Sequence, residues 1–454
     1  MPPQHPRRLS LLKPMLFIAH RVLVAIFVLL PALAVVAAAV EARRQRRWTP
    51  LTSLMLTFGA GFAIGVGIVL VYAVGTRGKV MTEQLLKAGY FATGLLLVLK
   101  GFDFVLRAVL LRVAGLREPR RVEDVIADDH VVIADHVRPR QWWRFAFVGI
   151  TRATILFGIG LPYVMAAVLT YRPRVAPIDD PKSQLGYAYE RVEFEATDGT
   201  PLVGWWIPAQ RVAKRSDERL PDDWGRRTVL VCHGLAANKS NQLILARAFP
   251  NEGLNVLIFD FRAHGESGGQ LTTFGDRERR DVLGAVRFLR ANRPDRAEKI
   301  FGVGASLGGA ALIAAAADDS DEGRAIDALA VYGTYDHLGR LTRSIGNSYF
   351  FPPLRQLLIH VGLPLASVQT GADLTHFAPA ELVPRVWPRP IMIIHGRADE
   401  IIAFDHGYAL YEAAAQPRYN VWLTEGKHDS IIDNEAAAKV VVEFFKQAEP
   451  VPVI

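Results

Sequence analysis

Two kinds of hydrophobic pattern divide this chain near residue 180. Before it, apolar residues come in long unbroken runs: 19 residues from Val22 to Val40, 29 uncharged residues from Trp48 to Thr76, and 19 from Ala153 to Tyr171. A helix needs about 20 apolar residues to cross the hydrocarbon core, and backbone amides in lipid must bond internally. The pattern therefore predicts membrane-spanning helices at about 22–40, 50–75 and 150–171. A further run, 88–111, is interrupted by Lys100, Asp103 and Arg107. Lys100 and Asp103 lie three apart and can pair on one helix face; the alternative is an amphipathic helix on the membrane surface. Residues 1–174 thus read as an all-α transmembrane region of three or four helices. The first run is preceded by Arg7, Arg8 and Lys13, as in a signal peptide. It is longer than a signal core, however, and Arg43, Arg44, Arg46 and Arg47 follow it at once, which favours a retained span. Gly61 and Gly65 form a GxxxG in the second run, read as ordinary packing within the chain in preference to a dimerisation device.

Residues 175–185 read as a proline-containing linker with the acidic pair Asp179–Asp180. Beyond it the pattern changes. Arg191–Thr197 alternates, Asp198-Gly199 marks a hairpin turn, and Leu202–Ile207 returns. Short apolar runs follow at Thr228–Cys232, Asn255–Phe259, Lys299–Val303, Ala328–Tyr332, Ile391–Ile394 and Tyr419–Leu423. Helical patterns lie between them at Ser240–Pro250, Asp276–Arg290 and Leu307–Ala317. Continuous apolar strands alternating with helices predict a mostly parallel sheet covered on both faces, an α/β domain over 186–448. The stretch 334–388, before the penultimate strand, reads as a cap insertion.

Composition sharpens this division. Half of the 454 residues are apolar, 22% are charged and mean hydropathy is +0.17. The formal charge of +8 resolves into +12 over residues 1–180 and −4 over the rest. The basic residues flank the apolar runs, so they act as an orientation signal and not as a nucleic-acid footprint. Their distribution places the C-terminal domain on the exoplasmic side. The single cysteine, Cys232, excludes an intrachain disulfide and cysteine-based metal clusters, and reads as buried packing. Glu123, Asp124, Asp128, Asp129, His130, Asp135 and His136 gather carboxylates and imidazoles, but a solvated loop explains them more simply than a metal site. No metal and no cofactor is expected.

In a parallel sheet chemistry belongs at the carboxyl ends of the strands. Four ends carry distinctive residues: Cys232-His233-Gly234-Leu235, Asp260–Ser267, Gly302–Gly309, and His395–Asp399, with His428 after the last strand. Gly304-Ala305-Ser306-Leu307-Gly308 is a GxSxG between a strand and a helix. Such a turn leaves no room for side chains at Gly304 and Gly308, and lifts the Ser306 hydroxyl above the sheet. A serine needs a base to take its proton, and the base needs a carboxylate to orient it. Asp399 and then His428 follow in that order, each just past a strand. Glu400 is one position late for the acid, and Asp429 is too close to His428 to orient it.

These residues resemble the α/β-hydrolase superfamily and, within it, the bacterial YfhR-like membrane-associated serine hydrolases. The resemblance covers roughly residues 186–447. Its marks are His233-Gly234, the Asp260–Ser267 stretch (with Ala263 where the family form has glycine), Gly304–Gly309, His395–Asp399 and Gly426-Lys427-His428. It implies Ser306 as nucleophile, His428 as general base and Asp399 as orienting acid. It further implies an oxyanion hole from the backbone N–H groups of Leu235 and Leu307, and structural roles for His233, His264 and His395. The expected function is a membrane-anchored serine hydrolase cleaving an ester, thioester or amide, with esterase or lipase ranked above peptidase. Its partners would be an acylated or lipid-like substrate and the bilayer, and no nucleic acid. Its place would be a bacterial inner membrane. The alternative is a transport or receptor-like protein whose hydrolase domain is regulatory or binding-only. The cap's Tyr349–Pro353, Leu354–Val361 and Trp387 suit an acyl pocket or simple packing equally.

Overall fold

The computed structural model describes residues 54, 56–63, 66, 82–113, 142–171, 174–210, 223, 225–349, 352–428 and 435–448. Described residues up to Val164 fall in one compact unit and those from Met165 in a second.

The first unit contains helix α1 (Thr82–Val113), α2 (Trp142–Ile155) and a π-helical turn, Leu156–Gly160. Helix α3 (Leu161–Thr170) follows without a break and crosses the boundary between the units. Residues 56–63 are also helical. Gly61 lies so close to α1 that a Cβ on it would come within 2.7 Å of the Thr93 Cα, which is the close helix contact that small residues permit. Gly65 lies outside the described residues. Asp103, expected to pair along its own helix with Lys100, is held by Arg152 of α2, and Lys100 Nζ donates to Thr57 Oγ1 at 2.9 Å.

Among the described residues no helix is long and apolar enough to cross a membrane. Lys100, Asp103 and Arg107 interrupt the apolar part of α1, and the π-helical turn divides the 150–171 run between α2 and α3. The expected spans are therefore not found there. The 22–40 run and most of the 50–75 run lie outside the described residues, as does the acidic and histidine-rich stretch 123–136.

In the second unit, eight strands form one sheet in the order β1-β2-β4-β3-β5-β6-β7-β8. They are β1 (Glu190–Glu195), β2 (Pro201–Ile207), β3 (Arg227–Cys232), β4 (Leu254–Phe259), β5 (Lys299–Ala305), β6 (Ile326–Tyr332), β7 (Ile391–Gly396) and β8 (Arg418–Leu423). Only β2 runs against its neighbours; every pairing from β4 through β8 is parallel. Each short apolar run in the sequence became a strand, because a sheet covered on both faces needs apolar side chains at consecutive positions. Leu230 and Cys232 point to the face covered by α4 (Arg279–Asn292) and α5 (Leu307–Ala316). Val229 and Val231 point to the opposite face. The helix expected at Ser240–Pro250 is shorter, a 3-10 turn at Lys239–Gln242 followed by Leu243–Ala246.

The cap is helical: α6 (Leu338–Tyr349), α7 (Pro352–Leu357), a π-helical turn and α8 (Leu363–Thr370). After β7 come α9 (Phe404–Ala413), β8 and α10 (Glu435–Gln447). A third apolar cluster joins Ala310 and Ala314 of α5 to Leu338, Ala366 and Phe377 of the cap. It also contains Ala166, and the Thr170 carbonyl accepts from the Thr272 amide at 2.9 Å. The end of α3 is thus part of this unit's core, upstream of the expected linker.

Candidate active site

Ser306 stands between β5 and α5 with φ 49° and ψ −113°. That positive φ is costly for a residue with a Cβ, and the surroundings enforce it. A Cβ on Gly304 would come within 2.6 Å of the Gly308 carbonyl oxygen, and one on Gly308 would strike the Cys232 and His233 carbonyl oxygens. Of the residues Val303 to Gly309, Ser306 alone is not buried. The two glycines expected from GxSxG therefore do what the sequence required of them.

Three tethers bring the other chain segments to this turn. The Ser306 amide donates to the Tyr332 carbonyl at the end of β6 at 2.9 Å. The next residue, Gly333, has φ 53° and lies against the His428 ring, so closely that a Cβ would be 3.2 Å from it. Ser306 and His428 thus sit at the same strand end, against consecutive residues. The loops after β7 and β8 are tied to each other by the Ala398 amide, which donates to the Gly426 carbonyl at 3.0 Å.

His428 Nδ1 is 2.8 Å from Asp399 Oδ2. The other carboxylate oxygen accepts from the amides of Ile401 (2.9 Å) and Ile402 (2.8 Å). The Asp399 side chain is fully buried. Burial opposes its charge, but the His428 ring and these two amides outweigh that and hold its carboxyl below the usual range. Glu400, the competing acid, is exposed, and Asp429 lies outside the described residues.

On the other side, a Cβ on Gly234 would lie 3.5 Å from Ser306 Cβ. Leu235 follows it, and Leu307 opens α5, where the first amides of a helix have no partner within it. The two expected donors thus belong to the loop after β3 and to the first turn of α5. His233 is fully buried; its Nε2 accepts from the Phe261 amide at 3.0 Å and its Nδ1 lies 2.8 Å from the Gly234 carbonyl. Burial, reinforced by nearby His264 and Lys239, pushes its pKa well below 6.5. His264 Nδ1 lies 2.8 Å from the Arg262 carbonyl. Cys232 is buried in the core and burial pushes its thiol pKa up, in keeping with packing.

Ala263, where the family form has glycine, holds φ 60° and is 1% exposed. The substitution leaves the turn in place and puts a methyl group where the left-handed backbone favours none. Three features escaped the sequence reading. Gly333 contacts the His428 ring; its only signal was a glycine directly after a strand. His395 reaches the acid, although it had been placed in the same motif. Asp336 pairs with His406 of α9 at 2.5 Å and with Arg340 of α6, which no local spacing announced. Among the described residues no group of acidic, histidine or cysteine side chains is arranged to hold a metal ion.

Comparison with known proteins agrees with this architecture. The family model described as serine aminopeptidase, S33, matches residues 225–339. YfhR of Escherichia coli K12 is 28% identical over 273 residues, covering 59% of this chain and 84% of that protein. Rv2307c of Mycobacterium tuberculosis is 28% identical over 281 residues, covering 62% and 86% respectively. Among solved structures, the Pyrococcus furiosus esterase Pf2001 aligns with a TM-score of 0.48 and 25% identity, over 61% of this chain and 98% of that one. With one antiparallel strand in an otherwise parallel sheet, a serine on the turn after β5, and the matches to the serine aminopeptidase family model and to YfhR, the chain is an α/β-hydrolase superfamily protein resembling YfhR.

Proposed function

We propose that this chain is a serine hydrolase that cleaves a carboxylic ester, or a related acyl bond, through an acyl-enzyme on Ser306. The observation that carries the reading is the His428–Asp399 hydrogen bond beside a serine held on a strained strand-to-helix turn. His428 Nε2 takes the Ser306 proton as the hydroxyl attacks the acyl carbon. Asp399 keeps the Nδ1 proton in place and stabilises the imidazolium that forms. The tetrahedral oxyanion is held by the amides of Leu235 and Leu307, which meet charge that exists only after attack. His428 then gives its proton to the leaving group, and water repeats the sequence to release the acid.

An apolar, acylated or lipid-like substrate fits the aliphatic cap, with Leu338, Leu341 and Phe377 in its core. We further read the N-terminal region as a membrane anchor, with the hydrolase unit on the exoplasmic side. In its support are the uncharged runs at 22–40 and 48–76. So are the large apolar side chains exposed on α1 and α2, among them Phe102, Phe104, Val105, Phe147 and Ile150. The peptidase reading is the runner-up, favoured by the description of the matching family model.

Fluorophosphonate labelling of the purified full chain tests the reading. Label should attach to wild type and be lost in Ser306→Ala and His428→Ala. Equal labelling of Ser306→Ala would sink it. A panel of acyl esters, thioesters and peptides then separates esterase from peptidase.

A further inference from the structure

His395 is the penultimate residue of β7, four residues before Asp399, and its side chain is fully buried. Its Nε2 is 2.8 Å from the Ile402 carbonyl oxygen and 3.5 Å from Asp399 Oδ2. A carbonyl only accepts, so Nε2 carries the proton and Nδ1 the lone pair. Nδ1 is buried with no hydrogen-bond partner among the described residues. Gly407 is packed against it, where a Cβ would overlap the ring. One edge of the imidazole is therefore walled off and the other is aimed at the acid loop.

Ile402 is held from both ends in consequence. Its amide donates to Asp399 Oδ1 at 2.8 Å, and its carbonyl accepts from His395. Asp399 Oδ2, the oxygen that meets His428, also faces the His395 Nε2–H. The remaining charged or titratable neighbours are His428 and His406, the latter paired with Asp336.

Resting on the reading of Ser306, His428 and Asp399 as the triad, we propose that His395 is a positioning residue for the acid. Its Nε2–H, placed between the Ile402 carbonyl and the Asp399 carboxylate, keeps the Asp399–Ile402 turn closed and fixes the oxygen presented to His428. It also draws charge from that oxygen, which lowers the basicity of the pair.

Three variants of the full chain test this. Glutamine can place an amide N–H where Nε2 stands, asparagine places one only near Nδ1, and leucine places none. His395→Leu and His395→Asn should lower kcat for an acyl ester by about tenfold, as for a buried carbonyl left without its donor and a slackened acid turn, with KM unchanged. The acid limb of their pH–rate profiles should move to higher pH, because the carboxylate regains basicity. His395→Gln should stay within about twofold of wild type on both readouts. Wild-type rate and pH profile in His395→Leu would overturn the proposal, as would a folded His395→Gln no better than leucine. The far-downfield proton signal of the His428–Asp399 bond, read in parallel, needs no turnover: leucine should displace it and glutamine should not. A wild type that fails to label with fluorophosphonate would sink the hydrolase reading alone, and the proton signal would then decide the role of His395 by itself.

Discussion

The imidazole of His233 donates through Nδ1 to the carbonyl of its own neighbour, Gly234, at 2.8 Å. The direction is fixed because the Phe261 amide occupies Nε2, which leaves the proton on Nδ1. In a trans peptide the carbonyl oxygen and the next amide hydrogen point in opposite directions. Pinning the Gly234 oxygen toward His233 therefore turns the Leu235 N–H away from it. His233→Ala should free this peptide and cost the contribution of one oxyanion donor, about 10²-fold in kcat. KM should change little, because the donor acts on charge that forms after binding. Steady-state kinetics of an ester substrate checks this; a fall in KM-linked affinity with kcat intact would point to a pocket effect instead.

Burial gives His233 and His395 a second consequence. Both have pKa values lowered from 6.5, chiefly by desolvation. Below pH 6.5 the unfolded chain protonates these rings and the folded chain resists. Their stabilising contribution is therefore complete above pH 6.5 and is lost as pH falls toward the folded-state values. Each should therefore add to the loss of stability as pH falls below 6.5, His233 the more because its pKa is lowered further. Thermal unfolding between pH 7.5 and 5.5 should show a falling midpoint, with a shallower slope in His233→Ala. A slope unchanged by that substitution would assign the acid sensitivity to other groups.

Much of this was legible in the sequence, and the reason is local. Strands β3 to β7 are buried on both faces, so they announce themselves as unbroken apolar runs, and the two glycines around Ser306 are demanded by backbone contacts within one turn. Asp399 and His428 stand out by their order after strands, and the structure brings the two side chains together. What sequence could not supply was contact between segments far apart in the chain. The Asp336–His406 pair joins residues 70 apart, and Gly333 meets His428 only once β6 and β8 are placed in one sheet. The end of α3 entered the core of the second unit, where Ala166 shares an apolar cluster with Ala310 and Ala314, a burial that no hydropathy pattern distinguishes from a span. Asp103 took Arg152 for the same reason: the partner came from the next helix.

Ala263 offers a stabilising change. At φ 60° the methyl group meets the steric penalty that costs a residue with a Cβ about 1 kcal/mol in the left-handed region. Its amide is committed to the Gly268 carbonyl at 2.7 Å, so the turn cannot relax to another conformation without losing that bond. Ala263→Gly should raise stability by up to about 1 kcal/mol, seen as a higher thermal midpoint, with kcat and KM unchanged. A lower midpoint would mean that the lost methyl packing exceeds the strain.

Lys239 and Asp260 are both fully buried and paired, with the Lys239 Nζ also 2.5 Å from Glu266 and 4.8 Å above the Trp205 ring. Asp260 accepts in addition from the amides of Lys239 (2.7 Å) and Glu266 (2.9 Å). It is therefore the anchor around which the 260–267 loop folds, and a Cβ on Gly265 would overlap its carboxylate. Lys239→Met keeps the apolar stem but leaves a buried carboxylate without its cation. Removing one partner of such a pair costs about 3–5 kcal/mol. The two amides bond to different oxygens of Asp260, so Asp260→Asn in the same background removes the stranded charge but keeps an acceptor for only one of them. The double variant should therefore recover part of the loss, so that the two substitutions are not additive. Denaturation of all four combinations measures the coupling. Additive losses would show that Asp260 is held by the amides alone and that the ammonium contributes nothing to the loop.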